Sequence, residues 1–189
     1  MKYLRLWWLL LNLTVCFASN AQVSLKVDAQ TSKLTWFASK PIATHYGTLK
    51  LASGNILIKN GQLTGGLFVL DMRSIIVLDL KGHDKETVEG NFQSDYFFDT
   101  RRYPTARLEL ISVKQAADSA AIRARLTLHG IPKEISFMAV ISEITANRFT
   151  GSATIRINRR DWQIATGNIM YNTLIYPTIR LEVIINAHK

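Results

Sequence analysis

From Val23 onward the chain alternates apolar and polar positions with a period of two. Ile122, Ala124, Leu126 and Leu128 alternate with Arg123, Arg125, Thr127 and His129, and Ile179, Leu181, Val183 and Ile185 with Arg180, Glu182, Ile184 and Asn186. Ala106, Leu108 and Leu110, then Ala153, Ile155 and Ile157, repeat the pattern, and Leu34, Trp36 and Ala38 begin it. Such runs are strands with one face buried. Asn60-Gly61 is the strongest hairpin signal because both residues tolerate positive φ. Ser53-Gly54 reads as a weaker turn, and Gly65-Gly66 as a bulge or bend in a curving strand. Pro104, Pro132 and Pro177 stand at strand starts, where a missing backbone donor is tolerated. One segment breaks the alternation. From Asp84, read as an N-cap, to about Gln93 the chain is polar apart from Val88 and Phe92, a narrow helical stripe, so a short helical insertion is predicted near residues 84–99. Short strands with one helix predict an all-β antiparallel fold, an up-and-down or closed barrel in preference to a sandwich, although periodicity alone does not choose between them.

The first residues are read differently. Lys2 and Arg5 precede an apolar run over residues 6–18 that is shorter than the roughly 18 residues of a membrane span. Ser19, Asn20 and Ala21 then match a signal-peptidase site, so residues 1–21 are expected to be a signal peptide and 22–189 one domain, exported to the periplasm or secreted. Val15 stands where a lipoprotein leader needs a small residue before Cys16, and Cys16 is assigned to the apolar run. Because it is the single cysteine, the mature chain has no disulfide and must hold itself by packing. The chain is 48% apolar and 20% charged, with four prolines and no linker to divide it. Its net charge of +9 falls by two when Lys2 and Arg5 leave. A basic surface suits anionic membranes or head groups, and export argues against nucleic acid.

Catalytic signatures are few. The chain has no Gly-x-Ser-x-Gly elbow, His-Glu-x-x-His pair, P-loop or dinucleotide fingerprint. His45, His83, His129 and His188 are not at metal-ligand spacing, and no metal is expected even though Asp84 and Glu86 accompany His83. His129, in LTLHG, suits a hydrogen bond that closes a turn. Arg101-Arg102 and Arg159-Arg160 could hold phosphate or a quinone oxygen. The simpler reading leaves them solvated or paired with Asp99 and Asp161. Residues 135–141 are apolar on nearly both faces, so one face would meet the interior and the other a covering element.

Three blocks in order carry a resemblance: SDYFFDTRRYP at residues 94–104, LTLHGIPKEI at 126–135, and RRDWQI at 159–164. Together they resemble the YceI-like polyisoprenoid-binding family. The resemblance implies a lipocalin-like barrel of about eight strands around a long apolar lipid, an isoprenoid quinone or polyprenyl compound, with no other cofactor. On that reading Trp36, Phe68, Phe92, Phe97, Phe98, Leu126, Leu128, Phe137 and Ile155 line the tail site. His45, in THYG, matches a histidine common in the family and joins Arg73 and Arg102 as candidates for the head. An eight-stranded barrel is just wide enough either to be packed solid or to hold one small ligand. Carriage or storage of lipid therefore competes with two other classes, a hydrolase or isomerase using His45 or His83, and an interaction module with a filled barrel. Transient contact with a membrane and a homodimer are both compatible with the carrier.

Overall fold

The computed structural model describes residues 21–167 and 169–189. The leader read at residues 1–21, apart from Ala21, and Cys16 with it, lies outside the described residues. Nine strands follow in order: β1 (Val23–Val27), β2 (Lys33–Lys40), β3 (Ala43–Lys59), β4 (Gln62–Val77), β5 (Thr105–Ala116), β6 (Ser119–Leu128), β7 (Ile131–Ile144), β8 (Arg148–Asn158) and β9 (Thr178–His188). Helix α1 (Gly82–Gln93) lies between β4 and β5, and a 3-10 turn (Arg159–Trp162) and helix α2 (Ile169–Leu174) lie between β8 and β9.

Each strand from β2 to β9 pairs antiparallel with the next, and β9 returns to pair with β2, placing Trp36 opposite Leu181. The barrel is therefore closed and has eight staves, because β1 and β2 share one of them. β1 pairs with residues 55–58 of β3 and β2 with residues 43–48. Asp28 organises the break between them, its carboxylate accepting from the Gln30 N–H at 2.8 Å and the Thr31 hydroxyl at 2.9 Å. Closure leaves neither end strand of the sheet free, although β7 meets β8 only over residues 139–144 and its residues 131–138 pair with β6 alone.

The alternation predicted for β6 is observed in full. Ala120, Ile122, Ala124, Leu126 and Leu128 are buried, while Arg123 and Arg125 face outward. Asn60 and Gly61 take φ of 54° and 72° and close the β3–β4 hairpin, and His129 and Gly130, at 51° and 73°, do the same between β6 and β7. Gly65 adjoins a register shift at Leu57/Ile58, the bulge expected there. Ser53-Gly54 is not a turn. It lies within β3, pairs with Val69 and Phe68, and follows a bulge after Leu51. A Cβ on Gly54 would stand 2.9 Å from the Leu67 carbonyl, so close strand approach, not reversal, calls for glycine here.

Two further expectations need correction. Helix α1 starts at Gly82, with Lys81 as an N-cap that makes no side-chain bond, and Asp84 falls in the first turn, where a carboxylate favours the helix dipole. The outer apolar positions of β7 have no covering element among the described residues, and Met138 and Val140 are more than half exposed. Helix α2 and the 3-10 turn carried no periodic signal.

Candidate functional site

Inward-facing residues leave a lumen in two parts. The upper cavity, of about 260 Å³, lies under α1 and α2; the lower, of about 90 Å³, lies toward the β3–β4 and β5–β6 hairpins. Leu34, Leu70, Leu126 and Leu181 line both, so four leucines form a waist between two chambers of one lumen.

All nine apolar residues singled out in the sequence are found on this lining. Trp36, Phe92, Phe97, Phe98 and Leu128 surround the upper chamber, Phe68, Phe137 and Ile155 the lower, and Leu126 stands between them. Phe92, from the narrow stripe of α1, is the hub of the lid. Its ring meets Trp36 edge-on at 5.1 Å, Phe97 at 5.5 Å and Phe98 at 6.2 Å. Glu89 fixes the helix over the opening by accepting the Val77 N–H at 2.8 Å. The Trp36 indole nitrogen is buried with no hydrogen-bond partner among the described residues.

Charged side chains gather at the upper end alone. His45 lines the upper chamber, with Nδ1 2.7 Å from Oδ2 of Asp79, whose other oxygen accepts the Tyr46 N–H at 2.9 Å. Desolvation pushes the Asp79 carboxyl up, but the Tyr46 N–H and the His45 ring outweigh it and hold the carboxyl below the ordinary carboxylate range. Ionised, Asp79 can only accept, so Nδ1 of His45 carries the proton. Among the described residues no serine, threonine or cysteine hydrogen-bonds to that ring. His83 is exposed in the first turn of α1, away from the lumen. No group of three or more His, Cys, Asp or Glu among the described residues could hold a metal.

Arginine placement differs from the sequence reading. Arg73 is solvent-exposed and pairs with Asp71 at 3.1 Å, and Arg102 is exposed over the Tyr103 ring at 5.3 Å. Neither lines the lumen, so neither is placed to meet a head group in it. Arg159, read as solvated or paired with an acid, is 1% exposed and lines the upper chamber. Its guanidinium donates to the carbonyls of Ile164 (2.7 Å), Ala165 (3.3 Å), Asn172 (3.1 Å), Ile175 (2.8 Å) and Tyr176 (3.4 Å). Burial, and secondarily the charge of Arg160, lowers its pKa, but arginine begins so high that it stays protonated. Arg160 reaches Asn172 rather than Asp161. The segment wrapped on Arg159 supplies Ile164, Leu174 and Ile175 to the chamber wall. His129 ties the β6–β7 hairpin to the same region through Nδ1 and the Trp162 carbonyl at 3.1 Å.

A model of the YceI-like domain matches residues 25–187, nearly the whole barrel. The chain belongs to the YceI-like family. No curated protein matches it in sequence. Among solved structures, BcnA of Burkholderia cenocepacia superposes with a TM-score of 0.73 at 14% identity, over 85% of this chain and 99% of that one. A polyisoprenoid-binding domain from Saccharophagus degradans, implicated in plant cell wall breakdown, gives 0.68 at 22% identity, over 87% and 97%. A Campylobacter jejuni YceI protein gives 0.57 at 18%, over 68% and 74%. At these identities the likeness establishes a shared fold. This YceI-like chain therefore has its family's closed barrel, with Arg159 and Trp162 of the RRDWQI block buried beside the lumen.

Proposed function

We propose that this YceI-like barrel binds a long apolar lipid, an isoprenoid quinone or polyprenyl compound, in its lumen and carries or stores it in the cell envelope without changing it. The observation that carries this reading is the polarity gradient of the lumen. The lower chamber has no charged lining residue, whereas His45, Lys40 and Arg159 all stand at the upper end. A tail would lie downward and a head would stop near His45. Each CH₂ removed from water contributes about 0.8 kcal/mol, so a hydrocarbon chain needs no covalent tether. Passage into the lower chamber requires the four waist leucines to part, which rotamer changes can accomplish. The polyisoprenoid-binding domain of Saccharophagus degradans, with the same fold, supports the choice of ligand class. The expected signal peptide supports a periplasmic or secreted location.

Organic extraction of the exported protein followed by mass spectrometry tests this reading. A stoichiometric isoprenoid is the expected result, and a folded protein that yields no lipid would overturn it.

One observation favours a second reading. The His45–Asp79 pair is the arrangement a general base uses, and a hydrolase or isomerase could be built on it. Turnover of an isoprenoid ester or allylic isomer, abolished in His45→Gln, would favour that enzyme over a carrier.

A further inference from the structure

The rim of the upper mouth exposes apolar side chains on two neighbouring segments. Ile42, in the turn between β2 and β3, is 91% exposed, and Ile169, at the start of α2, is 87% exposed. Leu174 and Tyr176 follow at 48% and 49%. The Tyr176 N–H donates to the Ser39 carbonyl at 2.9 Å, which holds the two segments side by side.

The charges around this rim are of one kind on the β2 side. Residues 162–179 contain no charged side chain, and residues 34–44 contain Lys40 and no acid. Arg160, with Asp161 beside it, closes the border. Across the mouth, α1 and its cap carry Lys81 and Lys85 beside Asp84, Glu86 and Glu89, so that side is close to neutral with a small acidic excess. A negatively charged surface would favour the α2 side of the mouth over the α1 side. The apolar rim also continues into the lumen, because Leu174 is half-exposed and yet lines the upper chamber, as Lys40 does.

We propose that the barrel docks on an anionic lipid bilayer by this rim, tilted onto the α2 side, with Ile42 and Ile169 entering the interface and Lys40 and Arg160 facing the head groups. Tyr176 suits the level of the head groups, where an aromatic ring with one polar end is favoured. Four exposed side chains on two short segments fall well below the roughly 20 to 30 residues a side of a stable protein interface. They are enough for reversible contact with a membrane. No helix among the described residues is long and apolar enough to cross one, so the contact is peripheral. The purpose of docking, passage of a lipid between bilayer and lumen along a continuous apolar wall, rests on the carrier reading; the docking itself does not.

Flotation of the exported protein with vesicles tests it, using phosphatidylcholine alone against phosphatidylcholine with phosphatidylglycerol. Binding to the anionic vesicles is expected, weakening as salt rises. The double variant Ile42→Ser/Ile169→Ser should bind at least tenfold less, and Lys40→Glu should lose most of the preference for phosphatidylglycerol. The double variant should keep the circular dichroism spectrum and the extractable lipid of the parent protein, and Lys40→Glu should keep the spectrum. The proposal is overturned if the parent protein floats with neither vesicle, or if the double variant floats as well as the parent. It is equally overturned if the parent is a dimer that the double substitution separates, since the rim would then join two copies. If flotation behaves as expected while extraction yields no lipid, docking stands and the carrier reading alone falls.

Discussion

Nη1 of Arg159 donates to the Ile164 carbonyl at 2.7 Å inside the barrel mouth, and the guanidinium as a whole donates to four further carbonyls of the segment that follows. A guanidinium has five N–H donors in a fixed fork, and here they act as the hub around which residues 163–167 and 169–176 wrap. That segment forms part of the wall of the upper chamber.

Arg159→Met is therefore expected to do more than remove a charge. It leaves several carbonyls without a donor, at roughly 1 to 3 kcal/mol for each that water cannot reach, and the segment should loosen before the strands do. A loss of about 3 kcal/mol in urea denaturation is expected, with amide exchange accelerated first over residues 163–176. Arg159→Lys should recover little of it, because an ammonium cannot span the same set of acceptors. Unchanged exchange in that segment would show that Arg159 is not its support.

The His45–Asp79 contact predicts a dependence on pH. The Asp79 carboxyl is held below the ordinary range in the folded chain, so it contributes stability that is fully present above about pH 4 and is lost as pH falls through its folded value. Asp79→Asn should cost about 1 kcal/mol at pH 7. Parent and variant should converge as pH is lowered below 4, which denaturation midpoints at pH 7 and pH 3 would record. A gap that stays constant across that range would mean the carboxylate's ionisation plays no part.

Gly47 pairs with Trp36 on one side and with Val77 on the other. A Cβ there would fall on the Ile76 carbonyl and within 2.8 Å of Cζ2 of Trp36. The obstruction on one side is backbone, which cannot swing aside as a side chain can. Gly47→Ala should cost about 3 kcal/mol, the upper end for overpacking, and a calorimetric melt within a degree of the parent would contradict the geometry.

Strand by strand, most of the barrel was legible because one face of each strand is buried and the other wet, and that difference writes itself into the sequence every second residue. The nine apolar lining residues came from the family resemblance, and three of them, Phe92, Phe97 and Phe98, lie outside the strands. The lid was not legible by that alternation. Helix α2 has no periodic stripe, and α1 has one of only two residues. Arg159 and Arg160 stand side by side and look alike in sequence, yet one is the buried hub and the other is exposed. What separates them is the fold-back of residues 163–167 and 169–177, a long-range event with no local signature. Arg73 and Arg102 were chosen by chemical type, and type says nothing about whether a side chain faces the lumen. Asp79 was missed because an acid thirty-four positions from His45 becomes its partner only once β3 and β4 pair.

The waist of the lumen offers the most direct test of what the interior is for. Leu126 is 5% exposed, lines both chambers, and lies on β6 between the outward-facing Arg125 and Thr127. Leu126→Arg would put a cation among Leu34, Leu70 and Leu181, where desolvation costs several kcal/mol unless water follows it in. Stability and extractable lipid should both fall. Arg125→Glu changes only the outer wall. There Arg125 stands 3.8 Å from Glu109 and 4.0 Å from Glu134, exposed pairs whose loss costs about 1 kcal/mol at most. Lipid should be retained. Phe137→Ala opens the lower chamber at a cost of about 3 kcal/mol and should shift the extracted lipids toward bulkier or longer chains, since this ring lines the lower chamber. Mass spectrometry of the three extracts separates the cases. A Leu126→Arg protein that folds normally and carries its full complement of lipid would place the ligand outside the barrel.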